Sequence, residues 1–596
     1  MTFTTRPEIT GTFGVVTSTH WIASAVGMSM LERGGNAFDA AVATGFVLQV
    51  VEPHLNGPLG DLPALIWPAG ATAPTVICGQ GPAPAAATIT HYRSEGLELI
   101  PASGLLATVI PGAFDAWMLM LRDHGRLSLR EVLEPAIYYA EQGHPVLPGV
   151  SRTIAGLSTF FSTEWPTSAN IWMPGGTAPE PGTVFKNPAL ANTWTRLLNE
   201  TDGVKGREAQ IDAARDQFYR GFIAEAVDSY LKTACVADST GDRRKGVLTG
   251  QDMAGYSATY EAPRATDYAG WSVWKTDFWG QGPSLLQSLN TLNSIGIDTL
   301  DPAGPDFVHL IAETLKLSFA DREAYYGDPT GFDIPFETLL SMDYAATRSA
   351  LLNDTASTDQ RPGHLPGLEH LAEAAIARAA RHQASLHGID AGEPTMAHLR
   401  DRRGDTVHLD VIDTDGNMVS ATPSGGWLQS SPVVPGLGMP LNSRAQMFWL
   451  DPGLPTSLAP GRRPRTTLSP SMAQGPTGMQ LAFGTPGGDQ QDQWQLILFL
   501  RLAHGTANLQ AAIDSPLFHT GHNQSSFYPR VAQPGHLMIE ASVGEPVLDA
   551  LRARGHHVEV ADPWTVGRLT AATRDPDGLM RAGATPRLMQ AYAIGR

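Results

Sequence analysis

The chain has 596 residues, 42% of them hydrophobic and 17% charged, with a formal charge of −18. That length allows two or more ordinary domains or one large intertwined one, with a substantial core. The acidic balance argues against a nucleic-acid partner, since phosphate binding needs a basic surface, and 61 Gly with 45 Pro argue against a wholly helical protein.

The opening MTFTTRPEITGTFGVV lacks a basic segment followed by an apolar one, so no export signal is read. Residues 40–51 form an apolar run too short and interrupted to span a bilayer. The two cysteines, Cys78 and Cys235, have no metal-ligand spacing. Together these features predict a reduced, cytoplasmic protein with no membrane partner.

Helical periodicity comes first at 36–51 (NAFDAAVATGFVLQVV), which follows a Gly-Gly pair and carries a small-residue face. Further helices are predicted at 111–121, 129–142 and 306–326. The last opens on Asp306, suited to capping, and aligns Phe307, Leu310, Ile311, Thr314 and Ser318 on one face. Residues 353–405 are rich in Ala, His, Arg and Asp and contain RPGHLPG. They predict one helix near 367–386 and read as a weakly packed connector.

From Thr406 the pattern becomes that of strands. TVHLDVID alternates Val407, Leu409 and Val411 with Thr406, His408 and Asp410. Asp-Thr-Asp-Gly-Asn at 413–417 then signals a tight turn, and MVSAT a second strand. A turn centred near 415 sets residue 406 opposite residue 424, so that Thr406 and Ser424 meet at the open end. Taken alone, this is an ordinary hairpin that begins with a threonine. No repeat of 20–50 residues occurs, nor any HExxH, CxxC or GxSxG. PGLG at 435–438 is too short to suggest nucleotide binding. His556 and His557 lack ligand spacing and read as solvated. No metal or organic cofactor is implied.

Several segments in order carry a family resemblance: GGNAFDAAVATGFVLQVVEPH (34–54), GPAPAAAT (81–88), VIPGAFDAW (109–117), EPAIYYAEQGHPV (134–146), LTGQDMAGY (248–256) and HLIAETLKLSFADREAYYGDP (309–329). TVHLDVIDTDGNMVSAT, APGRRPRTTLSPSM (459–472) and GTPGGDQQD (484–492) continue it. Across nearly all of residues 12–520 the chain resembles the γ-glutamyltransferase family of N-terminal-nucleophile hydrolases.

The resemblance implies an α+β fold, a four-layer αββα sandwich whose two stacked, mainly antiparallel sheets are shared by two processed chains. The large piece would be 1–405 and the small one 406–596, cut by the chain itself between Asp405 and Thr406. These would form an αβ heterodimer acting on a small-molecule substrate, with the number of such pairs left open. Chemistry explains the threonine: its hydroxyl can attack the Asp405 carbonyl to give an ester that water opens. The freed α-amine, with a reference pKa of about 7.7–8.0, then serves as base to its own hydroxyl. By motif, Ser424 stands where the family has a threonine that assists processing. Thr466 and Thr467 match a serine pair that contacts substrate, and Gly487 and Gly488 a glycine pair whose amides form the oxyanion hole.

The pattern breaks where a γ-glutamyl head group should be read. Ile89 stands at the position of the carboxylate-binding arginine, with Arg93 one helical turn beyond. Gln446 and Met447 replace two aspartates, and Gly426 replaces a substrate-contacting asparagine. Arg444, Arg465, Asp489, Gln490 and Gln491 are the new polar groups, with Trp427 and Trp449 as candidate walls, and the short stretch at 448–460 implies an open pocket. This set resembles the divergent branch that includes oxamate amidohydrolase and the homologues of alkylproline antibiotic pathways. Arginines suit a small dicarboxylate or α-keto acid because guanidinium grips carboxylate in a two-pronged fashion; the alternative is that they are ion-pair arginines. Three functions compete. One is a hydrolase of a small carboxylate-bearing amide or oxalyl compound, breaking a C–N or C–C bond through an acyl-Thr406 ester. The others are an authentic γ-glutamyltransferase and an inactive scaffold.

Overall fold

The computed structural model describes residues 3–293, 295–383, 406–505, 508–589 and 591–596. Two seven-stranded sheets stack on each other, and every pairing within them is antiparallel. One runs in the order Tyr592–Gly595, Gly14–Ser18, Leu409–Asp413, Met418–Ala421, Leu62–Trp67, Thr75–Gly79 and Thr259–Glu261. The other runs Ile9–Gly11, Met580–Ala584, Thr570–Arg574, Gln480–Gly484, Ser471–Gln474, Trp271–Lys275 and Arg264–Tyr268. Each sheet therefore interleaves segments from before and after residue 406.

Three apolar cores define four layers, as the αββα expectation requires. Between the sheets, Val15, Leu65 and Val76 of one meet Met472, Ala482 and Ala572 of the other. Outside the first sheet, Val16, Val411 and Val419 pack on the helices Trp21–Glu32 and Ala37–Val51. Outside the second, Val273, Leu481 and Phe483 pack on Pro283–Leu292, Pro305–Tyr325 and Gln491–His504.

The helix Ala37–Val51 starts where expected. Asn36 accepts from the amides of Phe38 and Asp39 while the Asp39 carboxylate accepts from Asn36 N–H, a reciprocal cap. All fifteen of its residues are buried. Its small face is a packing requirement: a Cβ on Gly45 would lie 2.4 Å from the Trp117 ring, and one on Gly27 would lie 2.4 Å from Thr44 Oγ1. Helices also form at Ala113–His124 and Leu129–Gln142.

Two expectations about the helix near 306–326 need correction. The helix Pro305–Tyr325 begins behind Gly304, with no side-chain cap, so Asp306 lies inside the first turn and pairs with Arg554 instead. Nor is it buried on one face: 18 of its 21 residues are buried, including His309, Glu313, Lys316 and Arg322, because other elements pack on every side. Over the described part of the connector, one helix forms, as expected near 367–386. The helix Glu369–Arg381 buries Leu371, Ala375, Arg378 and Ala379, and Leu365 ahead of it is fully buried. Residues 384–405, including Asp405, lie outside the described residues. No helix among the described residues is long and apolar enough to cross a membrane.

Candidate active site

The hairpin has the register that its turn chemistry predicts. Leu409 pairs with Ala421 and Ile412 with Met418, and the same register brings Thr406 opposite Ser424. Thr406 Oγ1 and Ser424 Oγ lie 3.1 Å apart, both buried. The alternation along 406–411 separates two buried faces rather than an inside from an outside. Val407, Leu409 and Val411 join the helix-side core. On the other face, His408 bonds Thr422 at 2.8 Å and Asp410 at 2.9 Å, and Asp410 accepts from Thr17 and Thr570.

The row extends one strand further. Ser424 pairs with Asp61, whose N–H and C=O exchange hydrogen bonds with it at 2.9 and 3.0 Å. Gly57 and Gly60 make this approach possible, since a Cβ on either would come within about 2 Å of the Gly426 or Ser424 carbonyl. Gly426, at φ +64°, has Gly60 N 3.1 Å from where its own Cβ would stand, so the loop leaves little room for a side chain. Burial pushes the Asp61 carboxyl up, opposed by Arg444, whose Nε lies 2.9 Å from it. Arg444 is itself fully buried and lies 4.9 Å over the Trp427 ring.

Thr466 and Thr467 are fully buried. Thr466 is tied through its backbone to Trp279 and Gln281. Gly487 has φ +126°, and a Cβ there would strike Trp494 at 2.9 Å. Gln491 bonds the Gly487 carbonyl, and Gln281 bonds the Gly488 carbonyl at 3.2 Å. Both carbonyls are thus held, while the N–H groups of Gly487 and Gly488 have no hydrogen-bond acceptor among the described residues. Gln490 caps the following helix through its backbone alone.

Arg465 and Asp489 belong to a buried charged cluster. Arg465 lies 2.8 Å from Glu323, and Arg322 lies 3.0 Å from Glu323 and 2.5 Å from Asp489. Burial alone would raise the Glu323 carboxyl, but Arg465 and Arg322 outweigh it and hold it below its ordinary value. Asp489 is also held low against burial, by Arg322 and by Ser526, which donates to both of its oxygens. Arg444 and Arg465 are therefore both ion-paired, the alternative that the sequence left open. Trp449 lies under Arg530 and Trp427 under Arg444, so each candidate wall ring faces a buried arginine.

The failed head-group positions are occupied otherwise. Ile89 begins a short helix and packs on an apolar cluster, Arg93 is exposed and bonds the Leu450 carbonyl, and Gln446 and Met447 are buried. Sequence reasoning missed Asp61, Arg322 and Glu323. GPLGD and FADREAYYG offered the signal, as charged residues inside otherwise apolar or glycine-rich segments.

A second polar region lies behind the loop that follows Ser424. Trp427 donates to Leu55 O at 2.8 Å and Gln429 to His54 O at 3.0 Å. Burial pushes His20 down to about 3, with His144 and His54 adding to the effect, and pushes His54 to about 3 and His144 to about 4. Burial raises Glu52 to about 8 although Thr19 donates to it.

His556 is buried against His309 at 2.8 Å, not solvated as its sequence context suggested, whereas His557 is exposed. With Glu313 these two histidines bring three ligand-type atoms within 4.8 Å. The set does not fit a cation: Glu313 already pairs with Lys316 at 2.6 Å and Arg361 at 3.0 Å, and His309 has both ring nitrogens bonded.

The sequence profile described as Gamma-glutamyltranspeptidase matches residues 23–595. The chain is 31% identical over 585 residues to the glutathione hydrolase-like YwrD proenzyme of Bacillus subtilis, covering 97% of this chain and 98% of that one. It is 30% identical over 597 residues to the oxamate amidohydrolase proenzyme of Klebsiella pneumoniae, covering 97% of each. The solved structure of LmbA2991HD is 50% identical and superimposes with a TM-score of 0.92 over all of both chains.

Proposed function

We propose, from the premise that this chain belongs to the gamma-glutamyltranspeptidase family of hydrolases and acyltransferases, that it is a self-processing N-terminal-threonine hydrolase of small carboxylate-bearing acyl compounds. The observation that carries this reading is the hydroxyl pair of Thr406 and Ser424, 3.1 Å apart at the start of the hairpin. In processing, Thr406 Oγ1 attacks the carbonyl carbon of Asp405, the C–N bond breaks to leave an ester, and water cleaves that ester. The released α-amine is then the base. It takes the Thr406 hydroxyl proton as the oxygen attacks a substrate carbonyl, and returns it to the departing group. The unengaged N–H groups of Gly487 and Gly488 are suited to the oxyanion, and water finally opens the acyl ester.

A carboxylate or oxalyl substrate is favoured over a γ-glutamyl one because neither reader of an α-amino acid is present. An apolar Ile89 cannot pair with a carboxylate, and the buried Gln446 and Met447 offer no negative charge to an ammonium. The name of the Klebsiella relative supports the first reading, and that of the Bacillus relative favours glutathione hydrolysis as the second.

Matured protein should run as pieces of about 405 and 191 residues on a denaturing gel, the smaller beginning TVHLD. Thr406→Ala should stay one chain, with activity lowered by on the order of 10⁴-fold or more. The kcat/KM for an oxalyl amide should exceed that for a γ-glutamyl anilide by roughly two powers of ten, two lost charged hydrogen bonds being worth about 3 kcal/mol at the lower bound. An intact chain that turns over substrate would sink the mechanism, and a clear preference for the glutamyl compound would restore the second reading.

A further inference from the structure

We propose that Arg378, Arg530 and the indole N–H of Trp449 form a receptor for a small dianion, the charge-recognition element of the hydrolase proposed above, on which reading this inference rests. The two guanidinium carbons lie 5.2 and 4.3 Å from the centre of the buried Trp449 ring. A delocalised cation is stable on an indole face. Each arginine uses only one nitrogen within the protein. Arg530 Nη2 donates to Gln446 O at 2.8 Å and Phe448 O at 3.1 Å, and Arg378 Nη2 donates to Glu323 O at 2.9 Å. Among the described residues, the Nε and Nη1 atoms of both, and Trp449 Nε1, are buried without a hydrogen-bond partner. Five donor nitrogens around one ring thus lack an acceptor, where buried donors ordinarily have one.

The charge count gives the ligand's valence. Arg322, Arg378, Arg465 and Arg530 are each at most 2% exposed, and among the described residues only the buried Glu323 and the partly exposed Asp489 oppose them with carboxylates within the cluster. Arg381 and Asp451, beside them, pair with each other at 3.2 Å and cancel. Four charges against two leave an excess of two. Burial lowers Arg530 to about 9, with Arg465 adding to the effect, and lowers Arg378 to about 10. Two carboxylates, each able to take a guanidinium fork, would satisfy both the charge and the donors. The receptor also adjoins the reaction centre along the chain. Arg530 grips the backbone of the 444–448 segment, Arg465 precedes Thr466 and Asp489 follows Gly488.

The test is titration of processed protein with oxalate, a dianion, and with oxamate, its singly charged amide, at one pH and ionic strength. Oxalate should bind at least tenfold more tightly than oxamate and inhibit turnover competitively. Arg530→Gln and Arg378→Gln should each weaken oxalate at least tenfold, with Arg530→Lys between the two. Appearance of both processed pieces serves as the check on folding. Oxalate no tighter than oxamate on the wild type would overturn the proposal even if no variant folds. So would processed Gln variants that hold oxalate as the wild type does. Tight, arginine-dependent oxalate binding without turnover of any carboxylate-bearing substrate would keep the receptor and remove the hydrolase reading. Oxalyl turnover with an unchanged KM in Arg530→Gln would do the reverse.

Discussion

Behind the loop after Ser424, His20, His54, His144 and Glu52 are buried and held uncharged, the histidines at about 3 to 4 and the acid at about 8. In the cluster beside Thr466 and Gly488, Glu323 is just as buried and Asp489 is 13% exposed, yet both are held below their ordinary values. The contrast is one of counter-charge. Glu323 has Arg465 at 2.8 Å and Arg322 at 3.0 Å, whereas Glu52 has the neutral hydroxyl of Thr19 and an opposing charge on Arg568 that together do not offset burial. Burial neutralises a group left alone and strengthens the pairing of a group with a partner. Two regions of similar dryness therefore end in opposite charge states.

One substitution applied to both regions separates them most sharply. Glu323→Gln leaves Arg465 without its acid, while Arg322 keeps Asp489, and should cost about 3–5 kcal/mol, the usual loss on breaking a buried pair. Denaturant unfolding measures it, and a loss below 1 kcal/mol would mean that the cluster is not charged as described.

Acid sharpens the comparison next. A histidine whose folded pKa is depressed contributes stability that is full above 6.5 and is lost as pH falls towards the folded value, here about 3 to 4. Glu52, raised from 4.5 to about 8, acts with the opposite sign, its contribution being lost as pH rises through that range. Between pH 6.5 and 4.5 the three histidines less the one acid leave two protons taken up by this region on unfolding, roughly 2.7 kcal/mol lost per pH unit within the window. The buried His519 and His522, each lowered to about 3, add losses of the same sign elsewhere in the molecule. The carboxylates of the charged cluster, with depressed pKa values, should add their loss only below the ordinary carboxylate range. A stability curve flat from pH 6.5 to 4.5 would break the comparison.

The smallest effect is Glu52→Gln. If the acid is already protonated at neutral pH, its amide replaces it at a cost of about 1 kcal/mol or less. A cost near that of Glu323→Gln would show that Glu52 is charged after all.

The hairpin was legible because its information is local. DTDGN fixes the turn, the turn fixes the register, and the register brings Thr406 to Ser424. The helix at 37–51 was legible for the same reason, through the Gly-Gly pair ahead of it and its small-residue face, although its reciprocal cap of Asn36 and Asp39 was not read. The charged cluster was not. Arg322, Arg378, Arg465 and Arg530 come from four distant segments, and nothing near any one of them announces the others. The helix at 305–325 misled because a one-sided apolar pattern assumes a solvent side that this helix lacks, and its polar residues find partners rather than water. Asp61 was hidden because its role depends on glycines at 57 and 60 that let two loops touch.

The alternation of early and late strands in both sheets bears on what a cut ahead of Thr406 would produce. The strand Leu409–Asp413 is hydrogen-bonded to Gly14–Ser18 on one side, and Met418–Ala421 to Leu62–Trp67 on the other. The C-terminal strand Tyr592–Gly595 closes the same sheet against Gly14–Ser18. Neither fragment owns a complete sheet, so the pieces would be woven rather than docked. Dilution should not release them, and either half expressed alone should emerge with unpaired strand edges and aggregate. A break in one covalent bond would change the chemistry at residue 406 while leaving the mechanical unit whole.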